Sequence, residues 1–168
     1  REEYVEDCSD IDDVIVFTSN GDMIVTKVDS KKFVAKNILY VSVFKKRDSR
    51  TIYNMIYKEG KSGVSYIKRF NVTGVTRDKT YNLTSQNPKT KILHFSANPN
   101  GEAEIVTIQL RQSGSIKKLK WDLDFADLAI KGRSVKGNIV SKYSVNKVIF
   151  KEKGLSTLKP RKIWSVSY

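Results

Sequence analysis

The chain has 168 residues, 39% of them hydrophobic, and a net charge of +13. That length suits one domain with a real core, and no apolar run approaches the roughly 18 residues that a membrane span needs. A single cysteine, Cys8, and a single histidine, His94, exclude an internal disulfide and leave no clustered ligands for zinc. Neither a metal nor a cofactor is therefore expected, and the lone thiol with no signal-peptide pattern suits the cytoplasm.

The chain opens acidic. Residues 1–22 hold eight Asp or Glu against Arg1, a net −7, so thirty basic and ten acidic residues give +20 over the rest. Self-repulsion on that scale costs stability and implies a polyanionic partner. Nucleic acid leads, because each phosphate neutralised releases condensed counterion. An anionic membrane fits poorly, since no amphipathic basic helix is present to lie in an interface. The acids of residues 2–13 read as a solvated leader or as a strip competing with DNA for the basic surface.

Hairpins follow. Val14–Thr18 and Met23–Val28 flank Ser19-Asn20-Gly21-Asp22, where Asn and Gly tolerate positive φ. Tyr53–Tyr57 turns through Lys58 to Gly63 into Val64–Phe70. Glu104–Leu110 turns near Gln112–Ser115 into Ile116–Trp121, followed by a short helical turn within Asp122–Ala129. A fourth unit begins at Lys147–Lys151 and turns at Gly154. The turn glycines Gly21, Gly60, Gly114 and Gly154 lie 39, 54 and 40 residues apart. Such a period signals a blade-type β array more than a plain β-sandwich, whose turns come closer together.

A second unit recurs after the hairpins: Phe33–Asn37 before Ile38–Val41, Val72–Lys79 before Tyr81–Leu83, and Ala129–Asn138 before Ile139–Val140. Each copy sets Lys or Arg in a loop beside a small residue, just before a strand. Repeated on successive blades, these loops give a basic perimeter. The expected DNA contacts are Lys36, Lys68, Arg69, Arg77, Lys79, Lys131, Arg133 and Lys136, with Lys117, Lys118 and Lys120 behind them. Gly132 and Gly137 allow close backbone approach or supply positive φ. Tyr40, Tyr57, Tyr66, Phe70, Trp121 and Trp164 sit in strand-like alternation and read as packing more than as base-stacking platforms. No Ser-His-Asp arrangement or phosphate-cradling Gly-rich helix start is found, so no catalytic residue is assigned.

The segment Ile130–Gly137 resembles the glycine- and arginine-rich box in the C-terminal domain of bacterial type IIA topoisomerase A subunits, the family of DNA gyrase and topoisomerase IV. Cys8–Val14, Tyr66–Gly74, Ala97–Glu104, Ser156–Leu158 and Arg161–Trp164 are similar to the Bacteroidetes topoisomerase IV members. The resemblance covers almost the whole chain, and implies that residues 1–168 are one DNA-binding domain, a fragment of a larger A subunit. It implies an all-β β-pinwheel of three to four blades, open or incomplete, whose blades exchange strands and bind double-stranded DNA around the rim. It places catalysis outside this domain, which is no enzyme alone. The full-length A subunit belongs to an ATP-dependent topoisomerase of the bacterial cytoplasm, located at the nucleoid. The implied partners are therefore the catalytic core of the same polypeptide and the ATPase B subunit. The box lacks the run of glutamine, paired arginines and glycines that marks a gyrase, which favours bending over chiral wrapping. A β-propeller scaffold for proteins is the remaining alternative.

Overall fold

A computed structural model of the chain describes residues 13–27, 37–45, 50–84, 89–111, 114, 119–143, 145–156 and 158. Among them the fold is all-β, with twelve strands and one 3-10 turn. β1 (Asp13–Thr18) and β2 (Asp22–Lys27) form the expected antiparallel hairpin. Its turn is closed by the Gly21 amide donating to the Thr18 carbonyl at 3.0 Å. β3 (Ile38–Phe44) folds back onto β1. β4 (Ile52–Lys58) and β5 (Ser65–Phe70) make the second hairpin, and β7 (Lys91–Asn98) folds back onto β4. β8 (Glu102–Leu110) and β9 (Lys120–Asp124) make the third, with β12 (Val145–Ser156) on β8.

In the first two hairpins the second strand takes its outer neighbour from the next repeat. β6 (Thr80–Asn82), which follows the second hairpin, pairs with β2 of the first. β10 (Ile130–Lys131) and β11 (Asn138–Ser141), which follow the third hairpin, both pair with β5. The sheets therefore run β3-β1-β2-β6, then β10-β5-β4-β7 with β11 also on β5, then β12-β8-β9. None closes. This is an open, blade-like β fold with strands exchanged between neighbours, as the resemblance implied.

The middle sheet is covered on both faces, which is why β4 and β5 are buried along almost their whole length. Tyr53, Met55, Tyr57, Tyr66 and Phe70 pack with Ile15, Phe17, Met23 and Val25 of the first sheet. Ile56 and Ile67 point the other way, into Val106, Ile108 and Phe125 of the third. Successive strand residues face opposite sides, so one hairpin serves two cores. Tyr40 and Trp121 pack on these cores as well, which accords with reading the aromatics as packing; Trp164 lies outside the described residues.

One expectation about a turn is corrected. Gly154 does not turn the chain: β12 continues through it beside β8, with a shift of register between Lys153 and Ser156. A Cβ there would lie 3.0 Å from the Ala103 carbonyl oxygen, so the glycine permits close strand approach. β9, on the return arm of the third hairpin, leads into the 3-10 turn Phe125–Asp127, while residues 116–118 of the expected run lie outside the described residues. That turn is capped by Asp124, whose side chain accepts from the Ala126 amide.

Candidate nucleic-acid interface

The expected cations separate by burial. Lys68 and Arg69 are adjacent in β5, so their side chains leave on opposite faces of a sheet that is covered on both. They are 4% and 2% exposed. Lys68 Nζ donates to the carbonyls of Leu83 at 2.6 Å, Arg133 at 2.7 Å and Val135 at 3.0 Å, and lies 4.9 Å from the Phe70 ring centroid. Burial, with the nearby Arg133 charge, lowers its pKa to about 8. Arg69 donates to Asn54 Oδ1, to the carbonyls of Phe125 and Leu128, and to that of Gly101. Burial lowers its pKa from the usual value, with Asp124 opposing. These two are corrected from phosphate contacts to internal pins, because their donors are turned onto backbone and side-chain acceptors inside the fold.

Of the other expected cations that are described, Arg133 is half-buried and the rest are exposed, and the donated strands bring several together. The loop before β6 carries Arg77 and Lys79, and the segment from β10 to β11 carries Lys131, Arg133 and Lys136. The first loop is tied to β2 by the Asp78 amide on the Val25 carbonyl and by Thr26 Oγ1 on Asp78 Oδ1. The two loops meet at Tyr81 of β6. The Arg133 guanidinium carbon stands 3.9 Å from the centre of its ring, and Lys79 Nζ is 5.2 Å from it. The Thr76 amide donates to the Tyr81 hydroxyl at 2.8 Å, and that bond does most to lower the phenol pKa.

Acids engage two of the exposed cations. Arg77 grips the carboxylate of Asp13, with Nε 3.1 Å from Oδ1 and the terminal nitrogen donating to Oδ2 at 3.2 Å. Lys136 Nζ is 3.6 Å from Glu59 Oε2 and 4.8 Å from the Tyr66 ring centroid, and its pKa is raised, foremost by Tyr66 and then by Glu59. Lys131 is exposed on β10. Lys120 is exposed on β9 in the third sheet, on the strand face opposite Trp121. Gly132 has open space at its Cβ position, whereas Gly137, at φ 104°, would place a Cβ 2.6 Å from the Ile67 carbonyl oxygen. Lys36, Lys117 and Lys118 lie outside the described residues.

Sequence reasoning missed the role of Tyr81, and it read Tyr57 as packing without its hydroxyl contact. The Tyr57 hydroxyl donates to the Lys136 carbonyl at 2.6 Å and fixes the far end of the box loop. The signal for Tyr81 was available: an aromatic in a three-residue strand directly after a basic loop. Between the second and third sheets, His94 Nε2 lies 2.7 Å from Glu104 Oε1, to which Ser96 and Asn54 also donate. Burial opposes the Glu104 charge, but these bonds and His94 outweigh it and hold its pKa low. The Ser96 hydroxyl and His94 Nε2 both meet the same carboxylate oxygen, Glu104 Oε1. Among the described residues no three His, Cys, Asp or Glu side chains gather as a metal site, and no helix is long and apolar enough to cross a membrane.

A family profile described as topoisomerase C-terminal domain, Bacteroidota, matches residues 1–153. The chain is also similar to the A subunit of DNA topoisomerase 4 from Borreliella burgdorferi, 26% identical over 150 residues. That alignment takes in 89% of this chain but 22% of the relative, so the chain spans about a fifth of its length. No solved structure matches.

Proposed function

This chain belongs to the Bacteroidota topoisomerase C-terminal domain family, and from that membership we propose that residues 1–168 act as one domain that holds and bends double-stranded DNA by its phosphate backbone. The observation that carries this reading is the meeting of two basic loops from successive repeats at Tyr81, with Arg133 over the ring and Lys79 beside it. Lys131 and Lys136 extend the same exposed surface. Cations spread along a curved array neutralise phosphates on one side of a duplex. Bending a site of roughly 20–30 base pairs costs on the order of 1–6 kcal/mol, which further phosphate contacts offset. Such contacts position DNA without reading bases, so binding tolerates sequence.

Within the larger polypeptide, this domain presents a DNA segment to the catalytic core, which acts with an ATPase partner in the cytoplasm at the nucleoid. The domain supplies no cofactor or catalytic group of its own. Bending is favoured over gyrase-type wrapping because the box Ile130–Gly137 carries one arginine and two glycines, without a glutamine. The test is energy transfer across a duplex of roughly 20–30 base pairs labelled at both ends. Saturation with the chain raises transfer if the duplex is bent. Tight binding with unchanged transfer would overturn bending, and no salt-sensitive binding would overturn the reading as a whole.

A further inference from the structure

We propose that Lys68 is a positioning residue for phosphate: by drawing the Arg133 and Val135 carbonyls inward, it turns the Ser134 and Lys136 amides outward as backbone donors to DNA. The inference rests on the DNA-binding reading above and adds donors that no side-chain charge supplies. A trans peptide is planar, with its C=O and N–H pointing in opposite directions. The Arg133 carbonyl shares a peptide with the Ser134 amide, and the Val135 carbonyl shares one with that of Lys136. Both carbonyls end on one buried ammonium, at 2.7 and 3.0 Å. The two amides therefore point away from the core.

The loop between them is internally closed. The Val135 amide donates back to the Gly132 carbonyl at 3.3 Å, leaving its neighbours on either side to face outward. Ser134 and Lys136 are exposed, and among the described residues no acceptor meets their amides. Near-successive amides turned to one side form an anion-binding concavity. The Lys131, Arg133 and Lys136 side chains raise the positive potential around it.

The third Lys68 bond, to Leu83, fixes the chain just after β6. One ammonium thus holds both basic loops in register. All three of its protons are engaged, and at 4% exposure it meets no phosphate itself.

The test is the amide NMR spectrum of the chain titrated with a short DNA duplex, and separately with inorganic phosphate. The Ser134 and Lys136 amide protons move downfield with either, more strongly with DNA. Lys68→Met removes these shifts and weakens duplex binding by at least about tenfold, with an unchanged salt slope because no phosphate charge was neutralised by Lys68. Lys131→Ala instead lowers the slope. If the duplex binds while both amides stay in place, the proposal is overturned and the DNA-binding reading stands. If the duplex does not bind at all, the underlying reading falls. Should Lys68→Met fail to fold, the wild-type titration alone decides.

Discussion

Arg69 carries a full charge into the space between the second and third sheets, where Asn54 and three backbone carbonyls receive it. Replacing it with Met leaves those acceptors buried and unmet. The expected loss is about 3–5 kcal/mol in a denaturant melt, the range for breaking a buried charged network. Lys68 adds a pH dependence. Its folded pKa of about 8 lies below the ordinary 10.5, so between these values the unfolded chain binds more protons. Stability should therefore rise with pH from about 8 to 10, and Lys68→Met should abolish that rise. Above about pH 10, Tyr57 acts in the opposite sense, because burial holds its phenol protonated in the folded state after the unfolded one has ionised. Glu104 governs the acid side. With its pKa held below 4.5, its contribution is present above that value and is lost as pH falls through the folded one. Glu104→Gln should accordingly flatten the fall of stability below about pH 4.5, read from melts across that range.

At the scale of elements, the two box glycines separate structure from access. Gly137 sits at φ 104° with its Cβ position against the Ile67 carbonyl, so Gly137→Ala strains the backbone and pushes β11 from β5. A loss of about 1–3 kcal/mol is expected, with weaker duplex binding. Gly132 has open space, and Gly132→Ala should stay within about 0.5 kcal/mol. Thermal melts of the two variants check both. The hairpins and the basic loops were legible because Asn20-Gly21 and the β-branched runs act locally. Gly154 was misread because a glycine needed for close strand approach looks, in sequence, like one needed for a turn. Lys68 and Arg69 were misread for a related reason: charge suggests solvent, and a strand covered on both faces has none. Their adjacency carried the missing signal, since neighbouring strand residues face opposite sides and one of them must enter a core.

Across the described residues, a hairpin core is repeated three times, and its sheets are tied by strands passed from one repeat to the next. That exchange brings basic loops distant in sequence to one place, where they meet over Tyr81. Ligation of nicked circles in the presence of the chain should leave the linking number unchanged, because bending without chiral wrapping stores no turns; a shift with protein would assign wrapping. The central claim, that exposed lysines and arginines of the exchanged loops hold the DNA backbone, is tested most directly by duplex affinity across salt concentrations. A steep linear fall of log affinity with log salt is expected. In a variant with Lys79, Lys131, Arg133 and Lys136 changed to Ala, the slope should be shallower by about 3–4. A shallow slope in the unaltered chain, or one that the fourfold variant leaves unchanged, would contradict it.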